Sequence, residues 1–230
     1  MKKMVYAIIV AAGEGKRAGF EIPKQFVKLN NKTILRMSAE KFQNSASIDK
    51  FLVVSHRNYV DLTEKEVKIF SKFENVVIGG SNRQESVYNA LMYLGKKENK
   101  PDFVCIHDAV RPFVDTNKID ESIYKAKEIG GAVLAEMAEN TISQVNNGRI
   151  VKTLERSQIY LHHTPQTFDF NKLLKAYQKA EKILSSFTDD ASIFIHAGYE
   201  TAIVEDYKNN IKLTKKEDFE LAKCIFELNS

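Results

Sequence analysis

The sequence predicts an α/β fold: a mostly parallel sheet with helices on both faces, interrupted by one inserted β-hairpin. Three observations predict it. Short apolar, β-rich runs alternate with stretches of helical period, the pattern of strands joined by crossover helices. Those runs are four to six residues long with little polar alternation, as expected of strands buried on both faces. Finally, Asn146-Asn147-Gly148-Arg149 stands between two β-prone runs, Thr141-Ile142-Ser143-Gln144-Val145 and Ile150-Val151-Lys152-Thr153-Leu154. Asn-Gly in that setting is a strong hairpin signal.

The elements follow in order. A strand over 5–10 (Val5-Tyr6-Ala7-Ile8-Ile9-Val10) opens the chain. A helix over 33–43 is capped by Thr33, whose side chain can accept from the first free backbone N–H groups. Strand 50–55, helix 58–72, strand 75–78, helix 82–95, strand 103–106, helix 116–129 and strand 131–136 continue the alternation. Residues 137–163 break it with the hairpin. Helices over 170–184 and 215–227 close the chain, the last with Thr214 as N-cap and Glu217 completing a capping box. An inserted hairpin has little core of its own and is expected to pack on something else. With no internal repeat, linker or low-complexity segment, the reading is one domain over 1–230 with an arm at 137–163.

Composition bounds the function. The chain has 230 residues, 43% hydrophobic and 28% charged, enough to bury a sizeable core. No apolar run approaches the roughly 18–20 residues that span a bilayer. Met1-Lys2-Lys3-Met4 reads as the approach to a strand and not as a signal peptide. Two cysteines, Cys105 and Cys224, imply neither a disulfide framework nor a metal cluster and fit a reducing cytoplasm. The net charge of +4 is spread along amphipathic segments, with no basic stripe interleaved with aromatics. The expectation is therefore no membrane and no nucleic acid, but an anionic small substrate.

Three loops carry the chemistry. The first strand runs into Ala11-Ala12-Gly13-Glu14-Gly15-Lys16-Arg17, with Pro23-Lys24-Gln25 beyond. A small, glycine-bearing loop lets backbone N–H groups approach a phosphate, and Lys16, Arg17 and Lys24 supply charge. The stretch Gly13–Ala18 also satisfies the loose dinucleotide pattern G-x-G-x-x-G/A. Gly19 and Pro23 interrupt the helix that fingerprint needs, and no Gly-Lys-Ser/Thr follows as in a Walker loop. What remains is an extended basic loop closing over a triphosphate. Strand 103–106 leads into His107-Asp108-Ala109-Val110-Arg111-Pro112 at its carboxyl end, where ligands bind in open α/β sheets. Asp108 there is suited to Mg²⁺, which favours one or two carboxylates plus substrate phosphates. Arg111 is suited to gripping a phosphate through its planar fork, whereas His107, with no nucleophile beside it, reads as structural. The third loop, Gly79-Gly80-Ser81-Asn82-Arg83-Gln84-Glu85-Ser86, again follows a strand and opens a helix. Its glycines admit close backbone approach to a base, and Ser86 can reach a ribose or phosphate.

Seven motifs occur in order: Ala11-Ala12-Gly13-x-Gly15-x-Arg17; Pro23-Lys24-Gln25; Gly79-Gly80-x-x-Arg83-x-x-Ser86-Val87; His107-Asp108-Ala109-x-Arg111-Pro112; Thr164-Pro165-Gln166; Thr188-Asp189-Asp190-Ala191; and Asn210-Ile211-Lys212. Together they resemble the 2-C-methyl-D-erythritol 4-phosphate cytidylyltransferase family over essentially the whole chain. The resemblance implies a Rossmann-like nucleotidyltransferase that converts CTP and a polyol phosphate to a CDP-polyol and pyrophosphate in non-mevalonate isoprenoid biosynthesis. It implies that Ala11, Ala12, Gly13, Gly15, Arg17, Lys24, Gly79, Gly80, Arg83, Ser86 and Lys212 bind the nucleotide. Lys24, Arg17 and Lys212 would also act catalytically. It implies, too, that Asp108 holds Mg²⁺ beside the substrates, while Arg111 and Thr164 contact the polyol phosphate. The hairpin would be a homodimerisation arm, placing Thr141 and Arg156 in the partner's site.

Departures from the family pattern occur at Asn209, where an Asp is common, at Ser81 in the base loop, and at Ala18. An amide oxygen can still coordinate, so Asn209 is kept as a second metal candidate, with Asp206 nearby. The sister family, ribitol 5-phosphate cytidylyltransferase, shares Val110 and Phe113 and a non-acidic residue at Asn209. The Ala-Ala-Gly opening and His162-His163 before Thr164 favour the methylerythritol branch. A non-catalytic nucleotide sensor is a rival from another class, and the joint presence of Lys24, Asp108 and Lys212 argues against it.

Overall fold

Apolar residues at successive positions, with no polar face, commit a strand to a sheet covered on both sides. Residues Val5–Ala11 (β1) do this in the computed structural model, which describes residues 2–13, 20 and 22–228. A 3-10 turn at Lys24–Phe26 leads into a small antiparallel pair, Lys28–Leu29 (β2) and Lys32–Thr33 (β3). Helix α1, Ile34–Asn44, starts where expected, its Thr33 cap accepting from the Arg36 N–H at 3.2 Å. Lys50–Ser55 (β4), Val60–Val67 (α2), Phe73–Ile78 (β5) and Arg83–Gly95 (α3) follow, then Phe103–Asp108 (β6), Thr116–Ile129 (α4) and Gly131–Met137 (β7). After Ser143–Asn146 (β8) and Arg149–Thr153 (β9) come Tyr160–Asp169 (β10), Phe170–Ala180 (α5), Asp190–His196 (α6), Ala202–Glu205 (β11) and Lys216–Leu228 (α7).

Seven strands form one sheet in the order β11-β7-β10-β6-β1-β4-β5. β1 lies at its heart, Ile8 pairing in parallel with Leu52 on one side and Ile106 on the other. Because side chains alternate along a strand, β1 feeds two cores. Ala7 and Ile9 pack under α1 and α4, with Leu35, Phe42 and Ile123; Tyr6 and Ile8 pack under α3 and α5, with Leu91, Leu173 and Tyr177. Helices thus cover both faces, and the fold is a Rossmann-like α/β fold. A third apolar cluster joins Leu29, Val110, Leu213 and Phe219, so α7 ties together the segments that carry Lys24, Asp108 and Lys212.

Several elements differ from expectation. β10 was not anticipated; it runs antiparallel between β6 and β7. Pro165 speaks against a central strand because it cannot donate to the ladder, and the register shifts between His162 and Gln166 to accommodate it. β11 and α6 were also missed, being only four and seven residues long. The second helix ends at Val67, not 72, and α5 passes at Ala180 into 3-10 geometry over Glu181–Ser186. The capping box is shifted by one residue. The Asp218 carboxylate, and not Glu217, takes the N–H groups of Thr214 (2.6 Å) and Lys215 (2.7 Å).

The hairpin forms at the expected turn. β8 and β9 make a two-stranded sheet of their own, with Asn146 opposite Arg149. Asn147 and Gly148 both have positive φ, 49° and 75°, the demand of a tight turn that matches strand twist. Val145, Ile150 and Val151 are 56%, 70% and 62% exposed, so the arm leaves its apolar side chains uncovered within one chain. No helix among the described residues is long and apolar enough to cross a membrane.

Candidate active site

The chain leaves β1 toward β4 and β5 on one side and later returns to β6 on the other. Loops leaving the carboxyl ends of β1 and β6 therefore diverge, which opens a crevice at the switch in strand order. A cavity of about 480 Å³ lies there. Ala11, Ala12 and Gly13 line it from β1, and Gly80, Arg83 and Ser86 from the loop after β5. Lys24, Asp108 and Lys212 complete it. Nine of the residues singled out in the sequence are thus brought together. Gly15 and Arg17 lie outside the described residues.

Local hydrogen bonds explain how the loops hold their shape. Gln25, buried between Lys24 and Phe26, donates from Nε2 to the Ala11 carbonyl at 2.7 Å and the Gly13 carbonyl at 2.9 Å. It thereby pins the two ends of the lysine-bearing turn and the glycine loop together. A Cβ at Gly13 would meet nothing within 4 Å, leaving its backbone open to a ligand. At Gly79 the close approach is internal: a Cβ would sit 2.5 Å from the Ala12 Cβ and 2.8 Å from the Ser86 Oγ. The Ser86 hydroxyl donates to the Asn82 carbonyl at 2.7 Å and accepts from the Gly80 N–H at 3.1 Å. Its proton holds the Gly79-Gly80 loop against α3, which Asn82 caps by accepting from the Glu85 N–H at 2.8 Å.

Asp108 is the electrostatic centre. It is buried, and its Oδ1 accepts from Arg83 Nε at 2.8 Å while Lys212 Nζ stands 2.6 Å from its Oδ2. Burial alone would raise its pKa; the Arg83 and Lys212 charges outweigh burial and hold the carboxyl far below the usual carboxylate range. Arg83 is likewise shifted against its own burial, its charge favoured by Asp190 and Asp108.

Below the cavity floor runs a buried polar chain. The Asp108 N–H donates to Thr164 Oγ1 at 3.1 Å, Thr164 is 3.0 Å from His107 Nδ1, and His107 Nε2 is 3.1 Å from the Arg111 carbonyl. A carbonyl only accepts, so Nε2 carries the proton and Nδ1 accepts from the threonine hydroxyl. Burial pushes His107 down to about 4, so it stays neutral and structural at physiological pH. Arg111 is only 8% exposed and donates from Nη1 to the Asn210 carbonyl at 2.6 Å, its Nε having no hydrogen-bond partner among the described residues. Thr164 and Arg111 thus sit beneath the cavity and do not line it.

Other candidates are not brought to this site. Thr141 and Arg156 lie exposed within the arm, Arg156 donating to the Glu139 carbonyl at 2.8 Å. Asn209 lines a separate cavity of about 570 Å³ beside Pro112 and Asp115. Asp206 is held by His163 at 2.9 Å and by Asn210 at 2.5 Å. Gln25, Asp190 and Tyr177 were not singled out as site residues, although Gln25 and Asp190 stand inside motifs.

The motif Thr188-Asp189-Asp190-Ala191 also carries a surface pair, His162 Nδ1 to Asp189 Oδ2 at 2.8 Å. The hydrogen bond to Asp189 raises His162; burial would raise Asp189, but bonds from His162, Gln166 and Ser192 lower it. The histidine contribution is complete below its unfolded pKa, roughly 6.5, and fades as pH rises through the folded value. The aspartate contribution is complete above roughly 4 and fades in acid. Their shared window is therefore mildly acidic. His162→Ala is expected to lower the melting temperature more at pH 5.5 than at pH 8.5, a difference that thermal denaturation at both pH values measures.

The sequence profile of the family described as 2-C-methyl-D-erythritol 4-phosphate cytidylyltransferase (IspD) matches residues 5–228. The chain belongs to this family. The cytidylyltransferase from Thermosipho africanus is 38% identical over 221 residues, covering 95% of this chain and 96% of that one. The relative from Clostridium beijerinckii is 40% identical over 223 residues, with 95% and 96% covered. The crystal structure of the Francisella tularensis 2-C-methyl-D-erythritol 4-phosphate cytidylyltransferase superposes with a TM-score of 0.79 at 35% identity, covering 96% of this chain and 99% of that one. This likeness extends over the cytidylyltransferase chain from β1 to α7.

Proposed function

We propose that the protein is a cytidylyltransferase that couples CTP with 2-C-methyl-D-erythritol 4-phosphate, giving the CDP-methylerythritol product and pyrophosphate, in isoprenoid biosynthesis. One observation carries the reading. In a member of this family, three cations (Lys24, Arg83 and Lys212) and one carboxylate (Asp108) converge on a glycine loop at the switch in strand order.

The chemistry follows from charge. The attacking group is a phosphate monoester with a second pKa of about 6, already mostly dianionic at neutral pH. It needs no general base, and the buried neutral His107 is not asked to be one. The difficulty is bringing two polyanions together. Lys24 and Lys212 would neutralise charge that grows at the α-phosphate and on the departing pyrophosphate, and the loop N–H groups would fix the triphosphate in line. Gly15 and Arg17 are proposed to bind the triphosphate as well, with Arg17 sharing the charge neutralisation.

The donor set fits Mg²⁺. Asp108 is the carboxylate that lines the cavity among the described residues, and a magnesium ion needs only one or two such ligands when substrate phosphates supply the rest. Bound there, the ion would supply further positive charge to the triphosphate. Lys212, 43% exposed at its side chain, can leave Asp108 for a phosphate. Asn209 lines the other cavity and takes no part in this proposal.

Turnover of the purified protein with CTP and each polyol phosphate in turn tests the acceptor. 2-C-methyl-D-erythritol 4-phosphate is expected to exceed ribitol 5-phosphate in kcat/KM by about 100-fold, the discrimination that a branching methyl and one added carbinol allow. A preference for ribitol 5-phosphate would overturn the reading.

The arm is proposed to dimerise the protein in the cytoplasm, covering Val145, Ile150 and Val151 and delivering Thr141 and Arg156 to the partner's polyol site, near Arg111 and Thr164. Mixing inactive Lys24→Ala and Arg156→Ala variants is then expected to restore about a quarter of the wild-type rate, because each mixed dimer has one intact site. No recovery on mixing would place Arg156 outside the partner's site.

A further inference from the structure

Asp190, the first residue of α6, is fully buried and takes no part in the reaction as described above. Its Oδ1 accepts from the Tyr177 hydroxyl at 2.5 Å and its Oδ2 from Arg83 Nη2 at 2.8 Å. Arg83 reaches on from Nε to Asp108 Oδ1 at 2.8 Å. The start of α6 is itself fastened to β10. Gln166 accepts from the Ala191 N–H through Oε1 at 3.0 Å and donates to Asp189 through Nε2 at 2.9 Å. Two motifs far apart in the chain, around Gln166 and Asp190, thus lock one another and present a carboxylate to Arg83.

A guanidinium is planar, so holding Nη2 on one carboxylate and Nε on another fixes the plane. Arg83 therefore meets Asp108 through one nitrogen and one oxygen. Freed from Asp190, it would be able to turn and take both Asp108 oxygens in the stronger bidentate pairing. Lys212 is held only by a point contact and is half-exposed. Asp108 accordingly has one fixed cation and one that can leave.

We propose that Asp190 and Tyr177 are positioning residues: they anchor Arg83 so that it occupies a single oxygen of Asp108 and keeps the other available to Lys212 and the bound substrates. This rests on the cavity's being the nucleotide site. A merely structural buried pair would give the same contacts, but its loss would lower stability and leave the kcat of the folded protein unchanged.

The test is a double-mutant cycle on kcat and on CTP affinity with Mg²⁺ measured by calorimetry. Asp190→Asn keeps the side-chain shape and removes the charge; Arg83→Gln removes the group it acts through. Each single change is expected to lower kcat by roughly 10–100-fold, the range for losing a partner that orients a site residue, with the KM for the polyol phosphate little changed. The double variant is expected to be at least as active as Arg83→Gln alone. Losses that multiply, or a wild-type kcat in Asp190→Asn, would overturn the proposal. Tyr177→Phe keeps the ring and removes one hydroxyl, and completes the same cycle with Arg83→Gln if Asp190→Asn does not fold. Its kcat is expected to fall while the Arg83→Gln/Tyr177→Phe pair falls no further than Arg83→Gln. Should the wild type fail to use 2-C-methyl-D-erythritol 4-phosphate, the proposed function falls. The calorimetric cycle would still read the positioning role, with non-additive changes in CTP affinity supporting it and additive ones sinking it.

Discussion

Lys24→Ala is expected to lower kcat by roughly 10²–10³-fold, the effect of losing one preorganised donor at a developing negative charge, with the fold intact. The fold is expected to survive because the residues that follow Lys24 anchor the turn. Gln25 and Phe26 are buried beside it, and the Gln25 amide ties the turn to the Ala11 and Gly13 carbonyls. Lys24 itself is only partly buried and lines the cavity. Its removal should therefore cost charge at the triphosphate and little packing. Pyrophosphate release at saturating CTP and acceptor measures kcat, and circular dichroism checks the fold. Because the loss is one of transition-state stabilisation, KM for the acceptor should change far less than kcat. Turnover near the wild-type rate would remove Lys24 from the mechanism.

What was legible in the sequence depended on the range of the interaction that fixes it. β1, β4, β6 and β7 are continuous apolar runs, and their neighbours in sequence suffice to define them. The arm was legible because Asn147 and Gly148 alone set the turn. β10 was not, since its place between β6 and β7 is decided by pairing across the sheet, against the local signal of Pro165. The capping of α7 slipped by one residue because Glu217 and Asp218 are chemically equivalent in sequence and only the path of the chain selects Asp218. The same holds within the site. Each loop announced itself by glycines and cations at a strand end, and Lys24 and Asp108 line one cavity; Lys212, which joins them there, was reached only through the family resemblance. The bond from Arg83 to Asp190 joins residues 107 apart, and no local pattern indicates that one partly buried arginine serves two carboxylates. Nor does any sequence signal distinguish a residue that lines the cavity from one that supports its floor, as Thr164 and Arg111 do.

Asp108→Asn is expected to do more than remove a proposed metal ligand. It takes the opposing charge from Lys212 and leaves Arg83 with Asp190 as its one carboxylate among the described residues. Catalysis should fall by at least about 10²-fold, since the variant loses the carboxylate that would hold the ion on the triphosphate. Stability should fall as well. Removing one partner of a buried ion pair costs about 3–5 kcal/mol, and the lower end is expected because Asp190 still neutralises Arg83. The pH dependence has a definite sign. Arg83 and Lys212 hold Asp108 far below an unfolded value of roughly 4, so its stabilisation is complete above that pH and fades as acid approaches the depressed folded value. The stability deficit of Asp108→Asn should therefore be constant from about pH 6 to 8 and shrink below roughly pH 4. Urea unfolding of both proteins across that range measures it. A deficit that grew in acid would mean that the Asp108 carboxylate is not the ionised partner of Arg83 and Lys212, and the charge-neutralising site would lose its centre.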